Sequence, residues 1–151
     1  AKAADPGITI IGGYSQSFTD QTIGKSIGLN HISRGSSILF QVAGSSGLGY
    51  LQAAVDKGVY GIGVDADQNY VAPQTIITSA IKKVDVAVFL TIQNVKNNSF
   101  KGGDNEFTLQ NGATGFAPPN SVVPQSIVQQ VNAIADQIKS GQIVPPTDIP
   151  K

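Results

Sequence analysis

Cysteine, methionine and tryptophan are absent from this chain, and histidine occurs once, at His31. Without cysteine there is no disulfide, no thiolate metal site and no cysteine nucleophile. The lack of disulfides is compatible with an oxidising compartment without pointing to one. A lone histidine excludes a metal cluster built on imidazoles, and His31 reads as a structural or exposed helix residue. Charge is scarce too. Charged residues make up 13% of the chain, and ten basic residues balance ten acidic ones. A nucleic-acid binder shows a basic excess or stripe, and none is visible. No apolar run approaches the roughly 20 residues that cross a bilayer, and no stretch reads as a signal peptide. The chain opens on Ala1 rather than Met, so a mature or cut chain is expected.

What is present points to a packed α/β domain. Hydrophobic residues make up 40% of 151 residues, enough for one domain with a buried core. Ile8 to Ile11 is β-rich and ends at Gly12-Gly13. Asp20 is an N-cap for a helix to about Ser33, with Ile23, Gly24, Ile27 and Gly28 as a close-packing face and Gly35 past its end. Ser37 to Ala43 reads as a strand buried on both faces. Ser46 to Lys57 reads as a helix with Leu48, Leu51 and Val55 on one stripe, ended by Gly58. Val59 to Val64 is the next buried strand, and Ile76 to Thr78 a third.

Ala80 to Asn97 then reads as a long helix with Ile81, Val84, Val88 and Val95 on one face. Glu106 to Leu109 alternates like a strand. Gly112 to Asn120 reads as a loop. Pro124 opens a helix that carries Ile127, Val131, Ile134 and Ile138 to Gly141, and the tail from Pro145 is extended. Strands alternate with helices, as in a mostly parallel sheet.

The most informative stretch is the βαβ unit Ile38-Leu-Phe-Gln-Val-Ala-Gly-Ser-Ser-Gly-Leu-Gly-Tyr, then Gly58-Val-Tyr-Gly-Ile-Gly-Val-Asp-Ala-Asp-Gln. Open α/β sheets bind ligands outside the carboxyl ends of their strands. That rule marks Phe40 to Ser46 and Asp65 to Asn69. Gly44, Ser45 and Gly47 bring N–H groups to a helix N-terminus, which suits an anion or a hydroxyl. The pattern Gly-x-x-Gly-x-Gly is not the dinucleotide fingerprint; a tight βα turn is its other reading. Asp65 stands at the end of a strand, and a carboxylate accepts hydrogen bonds from a pair of hydroxyls. Asp67 is the rival acid. Nothing resembles a nucleophile elbow.

Phe40-Gln-Val-Ala-Gly-Ser-Ser-Gly-Leu-Gly, Gly58-Val-Tyr-Gly-Ile-Gly-Val-Asp-Ala-Asp-Gln, Thr78-Ser-Ala-Ile-Lys-Lys-Val-Asp-Val-Ala-Val and Phe100-Lys-Gly-Gly follow one another in order. In this the chain resembles the basic membrane protein family of bacterial substrate-binding lipoproteins, which includes purine nucleoside receptors of ABC transporters. The resemblance covers essentially the whole chain, and it implies a Rossmann-like lobe of a type I periplasmic-binding-protein fold, without that lobe's first strand and helix. It implies second-lobe βαβ segments over 1–78, a hinge and crossover helix of the first lobe over 79–103, and a return strand and C-terminal helix over 104–151. The missing first strand is central in the family's sheet, so a gap with exposed edges is expected.

The resemblance also implies a function and site roles. The chain would serve an extracytoplasmic solute-binding protein, not an enzyme, with no cofactor and no metal. Its partners would be a nucleoside, the remaining N-terminal part of the same protein, an ABC permease, and the membrane through a lipid anchor outside this chain. Phe40 would stack on the base, its other reading being a core residue. Asp65 would hold the sugar. Lys82 would donate to ribose or base, with Lys83 and Lys101 as alternatives. Ser45 stands where the family usually has glycine. The competing class is a nucleotide-using enzyme on a flavodoxin-like or Rossmann-like domain.

Overall fold

The computed structural model describes residues 1–146. They fall into two compact units, Ala1–Ile62 and a second that starts at Gly63. In the first, the Asp20 carboxylate accepts hydrogen bonds from the N–H groups of Thr22 and Ile23 and starts helix α1, Gln21–Ser33. Helix α2, Ser46–Lys57, closes on Gly58 with φ +66°, a left-handed stop that glycine adopts without Cβ strain. Both helices occupy the expected spans.

The two helices touch through glycine. A Cβ on Gly24 would overlap the Ser46 carbonyl, one on Gly28 would meet Ala53, and one on Gly49 would overlap the Gln21 carbonyl. The stripe expected on α2 is therefore only partly the inner one. Leu51 is fully buried and Val55 is exposed, while Ser46, Gly49 and Ala53 meet α1 and Gly47 and Ala54 are buried as well. Small residues displace large ones where backbones approach this closely. Leu39, Ala53 and Ala54 form the core, with Leu29, Ile32, Tyr50 and Val59 packed on it. On the surface Lys25 and Asp56 pair at 2.6 Å. That hydrogen bond, with a second from Gln52, holds the Asp56 carboxyl below the usual carboxylate range.

Strand β1 is Ile38–Phe40 and runs parallel to β2, Tyr60–Asp65, with Phe40 opposite Ile62. The strand order is β1-β2-β3-β4, which puts β1 at an edge. This corrects the expectation of a longer strand buried on both faces: Leu39 is buried, whereas Ile38, Phe40 and Val42 are exposed. An edge strand packed on one side shields alternate residues only. Ile8 to Ile11 forms no strand. β-branched residues alone do not make one, because a strand exists only with a hydrogen-bonded neighbour.

The second unit holds the end of β2, then β3, Ile76–Lys82, helix α3, Val84–Lys96, β4, Thr114–Phe116, and helix α4, Gln125–Lys139. β3 and β4 are antiparallel, with Ala80 opposite Phe116 and Lys82 opposite Thr114. Three expectations change here, the first two because β3 pairs with β4. Pairing with β4 carries β3 on to Lys82, so the helix starts at Val84 rather than Ala80. The segment read as loop supplies β4. Glu106 to Leu109 is not a strand, because Asn111 folds back on it: its Oδ1 accepts from the Thr108 N–H and its Nδ2 donates to the Glu106 carbonyl. Pro124 precedes α4 as its cap. The tail shows no regular structure at Pro145 and Pro146, and from 147 onward it lies outside the described residues.

α3 leaves Val84, Val88, Phe89, Ile92 and Val95 exposed, and α4 leaves Ile127, Val131 and Ile134 exposed. Both faces keep the helical spacing of a packing surface. Among the described residues no helix is long and apolar enough to cross a membrane.

Candidate functional site

In the first unit the loop after β1 is braced by Gln41, which is nearly fully buried. Its Oε1 accepts from the Ala43 N–H at 3.0 Å, and its side chain fills the space a Cβ on Gly47 would need. Gly44 takes φ +56°, a turn open to it without Cβ strain, and packs on the Phe18 carbonyl. Phe40 is 52% exposed at the edge strand of this chain. It lines a cavity of about 290 Å³ with Gly13, Gln41, Val42, His31 and Tyr50, among others.

The start of α2 spends its donors internally. The Ser46 N–H donates to the Phe18 carbonyl, Gly47 to Gly44, and Leu48 to Ser45. The Ser46 hydroxyl donates to the Ser17 carbonyl at 2.6 Å. Gly44 and Ser45 thus shape a tight βα turn, and the Ser45 side chain makes no capping bond. At the cavity wall His31 Nδ1 lies 2.7 Å from the Tyr50 hydroxyl. Burial, then the nearby Arg34 charge, lowers the His31 pKa, and burial raises that of Tyr50.

The second unit contains the polar pair. Asp65 Oδ1 lies 2.9 Å from Lys82 Nζ, and both side chains are more than half exposed. Asp65 ends β2 and Lys82 ends β3. Asp65 has φ +68°, and across it the Ala66 N–H donates to the Val64 carbonyl at 2.9 Å. A bond from residue i+2 to i around a positive φ is the rarer, strained γ-turn. Such backbone persists where the surroundings over-determine it, commonly at functional sites.

Of the rival residues, Asp67 accepts from the Asn69 N–H at 3.0 Å and shapes the loop. The Lys83 backbone N–H joins the β4 side by donating to Ala113. Lys101 lies in irregular chain after α3 and offers its carbonyl to Asn105. Lys82 is the lysine whose ammonium reaches Asp65. Gln68 and Asn69, within the marked span Asp65 to Asn69, hold the loop from behind, together with Ser79, which the sequence left unmarked. Gln68 Oε1 accepts from the Val64 N–H, the Gln68 N–H donates to the Ser79 hydroxyl, and Asn69 Nδ2 donates to the Ile76 carbonyl. The sequence marks this loop as a whole, but no local pattern pairs Gln68 with Val64 and Ser79 or Asn69 with Ile76. Among the described residues no group of three or more His, Asp or Glu side chains stands close enough together to hold a metal ion.

A family model described as "ABC transporter substrate-binding protein PnrA-like" matches residues 1–148. Basic membrane protein A of Borreliella afzelii is 33% identical over 150 residues, covering 97% of this chain and 46% of that relative. A solved ABC transporter solute-binding protein from Aeropyrum pernix K1 superimposes with a TM-score of 0.71 at 28% identity, over 97% of this chain and 51% of that one. A Bacillus halodurans protein titled a transcriptional activator of the comK gene superimposes at 0.82 with 20% identity, over 88% and 47%; that likeness bears on the fold alone. The chain spans about half the length of these relatives.

Proposed function

The chain belongs to the basic membrane protein family of ABC transporter substrate-binding proteins, and from that premise we propose that it supplies part of a receptor for a nucleoside, preferably a purine nucleoside. The Asp65–Lys82 pair carries this reading. An ion pair this exposed adds little to stability, on the order of 1 kcal/mol or less. Its carboxylate is nevertheless held on a strained turn at the end of a strand. A vicinal diol offers two O–H donors to such a carboxylate, and the ammonium donates to a neighbouring hydroxyl or ring nitrogen. Phe40 is the proposed stacking face for the base, since every base has a π-face. Gly44 and Ser45 shape the loop beside it.

The reading makes the protein a binding module and not an enzyme. Its further partners are the rest of the receptor, which the longer relatives carry, and a membrane permease; it works outside the cytoplasm, held by a lipid anchor beyond this chain. Closure on the ligand follows from tighter binding to the closed form. Asp65→Ala in the whole receptor tests it. Titration calorimetry with adenosine should show affinity lower by about 2 kcal/mol or more, near thirtyfold, because sugar hydroxyls lose their acceptor. Wild-type affinity in that variant refutes the assignment. Tight binding of a phosphorylated nucleotide, with none of the free nucleoside, favours the enzyme reading.

A further inference from the structure

We propose that Gln68 is a positioning residue that holds Asp65 in its ligand-receiving conformation, an inference that rests on the role given to Asp65 above. The residue before Asp65 is pinned by this side chain: the Val64 N–H donates to Gln68 Oε1 at 3.0 Å. Gln68 is itself anchored through its backbone N–H, which donates at 3.0 Å to the hydroxyl of Ser79, a fully buried residue of β3. The cradle is fitted closely. A Cβ on Gly63 would stand 2.5 Å from Ser79 Oγ and 2.7 Å from Gln68 Oε1, so only glycine lets the carboxamide cross there.

Three residues thus converge on the turn that presents Asp65. Asp65 keeps φ +68° with the Ala66 N–H bonded back to Val64. An aspartate tolerates this region better than most residues, yet the turn is strained and relaxes unless something holds it. The Lys82 ion pair is solvent-exposed on both sides and is too weak to be that restraint. The half-buried chain from Val64 through Gln68 to the fully buried Ser79 is the stronger one, since a hydrogen bond shielded from water is costly to leave unmade. Gln68 acts on ligand only through the carboxylate it orients.

A double-mutant cycle in the whole receptor tests this, with adenosine as the probe. Gln68→Met keeps the side-chain length and removes the acceptor; Gln68→Glu keeps an acceptor oxygen. Gln68→Met is expected to weaken adenosine binding about tenfold, and less than about twofold once Asp65 is already alanine. Gln68→Glu should recover binding to within about threefold of wild type. Without ligand, amide exchange at Val64 and Ala66 should speed up about tenfold or more in Gln68→Met and stay slow in Gln68→Glu. Equal losses in both Asp65 backgrounds would mean a general structural role and overturn the proposal, as would unchanged adenosine binding in Gln68→Met. If adenosine binding is indifferent to Asp65→Ala, the nucleoside reading of Asp65 fails by itself. The exchange data then still judge the brace, and unchanged exchange at Val64 and Ala66 overturns it.

Discussion

Asp65 and His31 show what single residues contribute here, and they do so in opposite ways. Asp65 is exposed and strained, and on the proposed reading its value lies in binding. Replacing its partner should separate the two roles: Lys82→Met is expected to change unfolding free energy by less than about 1 kcal/mol while weakening adenosine binding several-fold, read by denaturation and calorimetry on the same samples. His31 is buried and bonded to Tyr50, and its value lies in folding. Its pKa is lowered in the folded chain by burial and by Arg34. The unfolded chain therefore takes up the proton first as pH falls, and stability drops from about pH 6.5 downward through the folded-state pKa. Melting temperature should fall on acidification through this window, and His31→Gln should flatten that dependence. The sequence marked Asp65 because an acid ended an apolar strand. It covered Gln68 only as part of the loop Asp65 to Asn69 and left Ser79 unmarked, because the contact between the two spans 11 residues, a distance no local pattern encodes.

At the level of elements, the legible parts are those with local signals. The Asp20 cap, the Gly58 stop and the spans of α1 and α2 all follow from short-range chemistry. The close approach of these helices was also visible in Gly24 and Gly28. Gly24→Ala should destabilise the chain by about 1–3 kcal/mol, since the added methyl meets the Ser46 carbonyl rather than a movable side chain; urea unfolding reads this directly. Where the sequence misled, a long-range partner had decided. β4 extends β3 to Lys82 and shortens the helix that follows. Ile8 to Ile11 has strand composition without a strand, and β1 stands at an edge with Ile38, Phe40 and Val42 exposed. These are the features expected where a sheet is open to one more strand.

On the proposed reading the function rests on a receptor longer than this chain, which spans 46% of a relative such as Basic membrane protein A. On that same reading, the apolar stripe of α3, with Val88 and Ile92 more than half exposed, seats the remainder of the protein. Val88→Lys should therefore destabilise the whole receptor by roughly 2 kcal/mol, as burial of an unpaired polar group does, and leave the chain by itself nearly unchanged. Thermal melts of the two forms make the comparison. The central claim concerns the ligand, and titration of adenosine into the whole receptor tests it most directly. The account predicts saturable binding of one adenosine per receptor, with free phosphate failing to compete. A folded receptor that shows no binding of adenosine or any other nucleoside would contradict it.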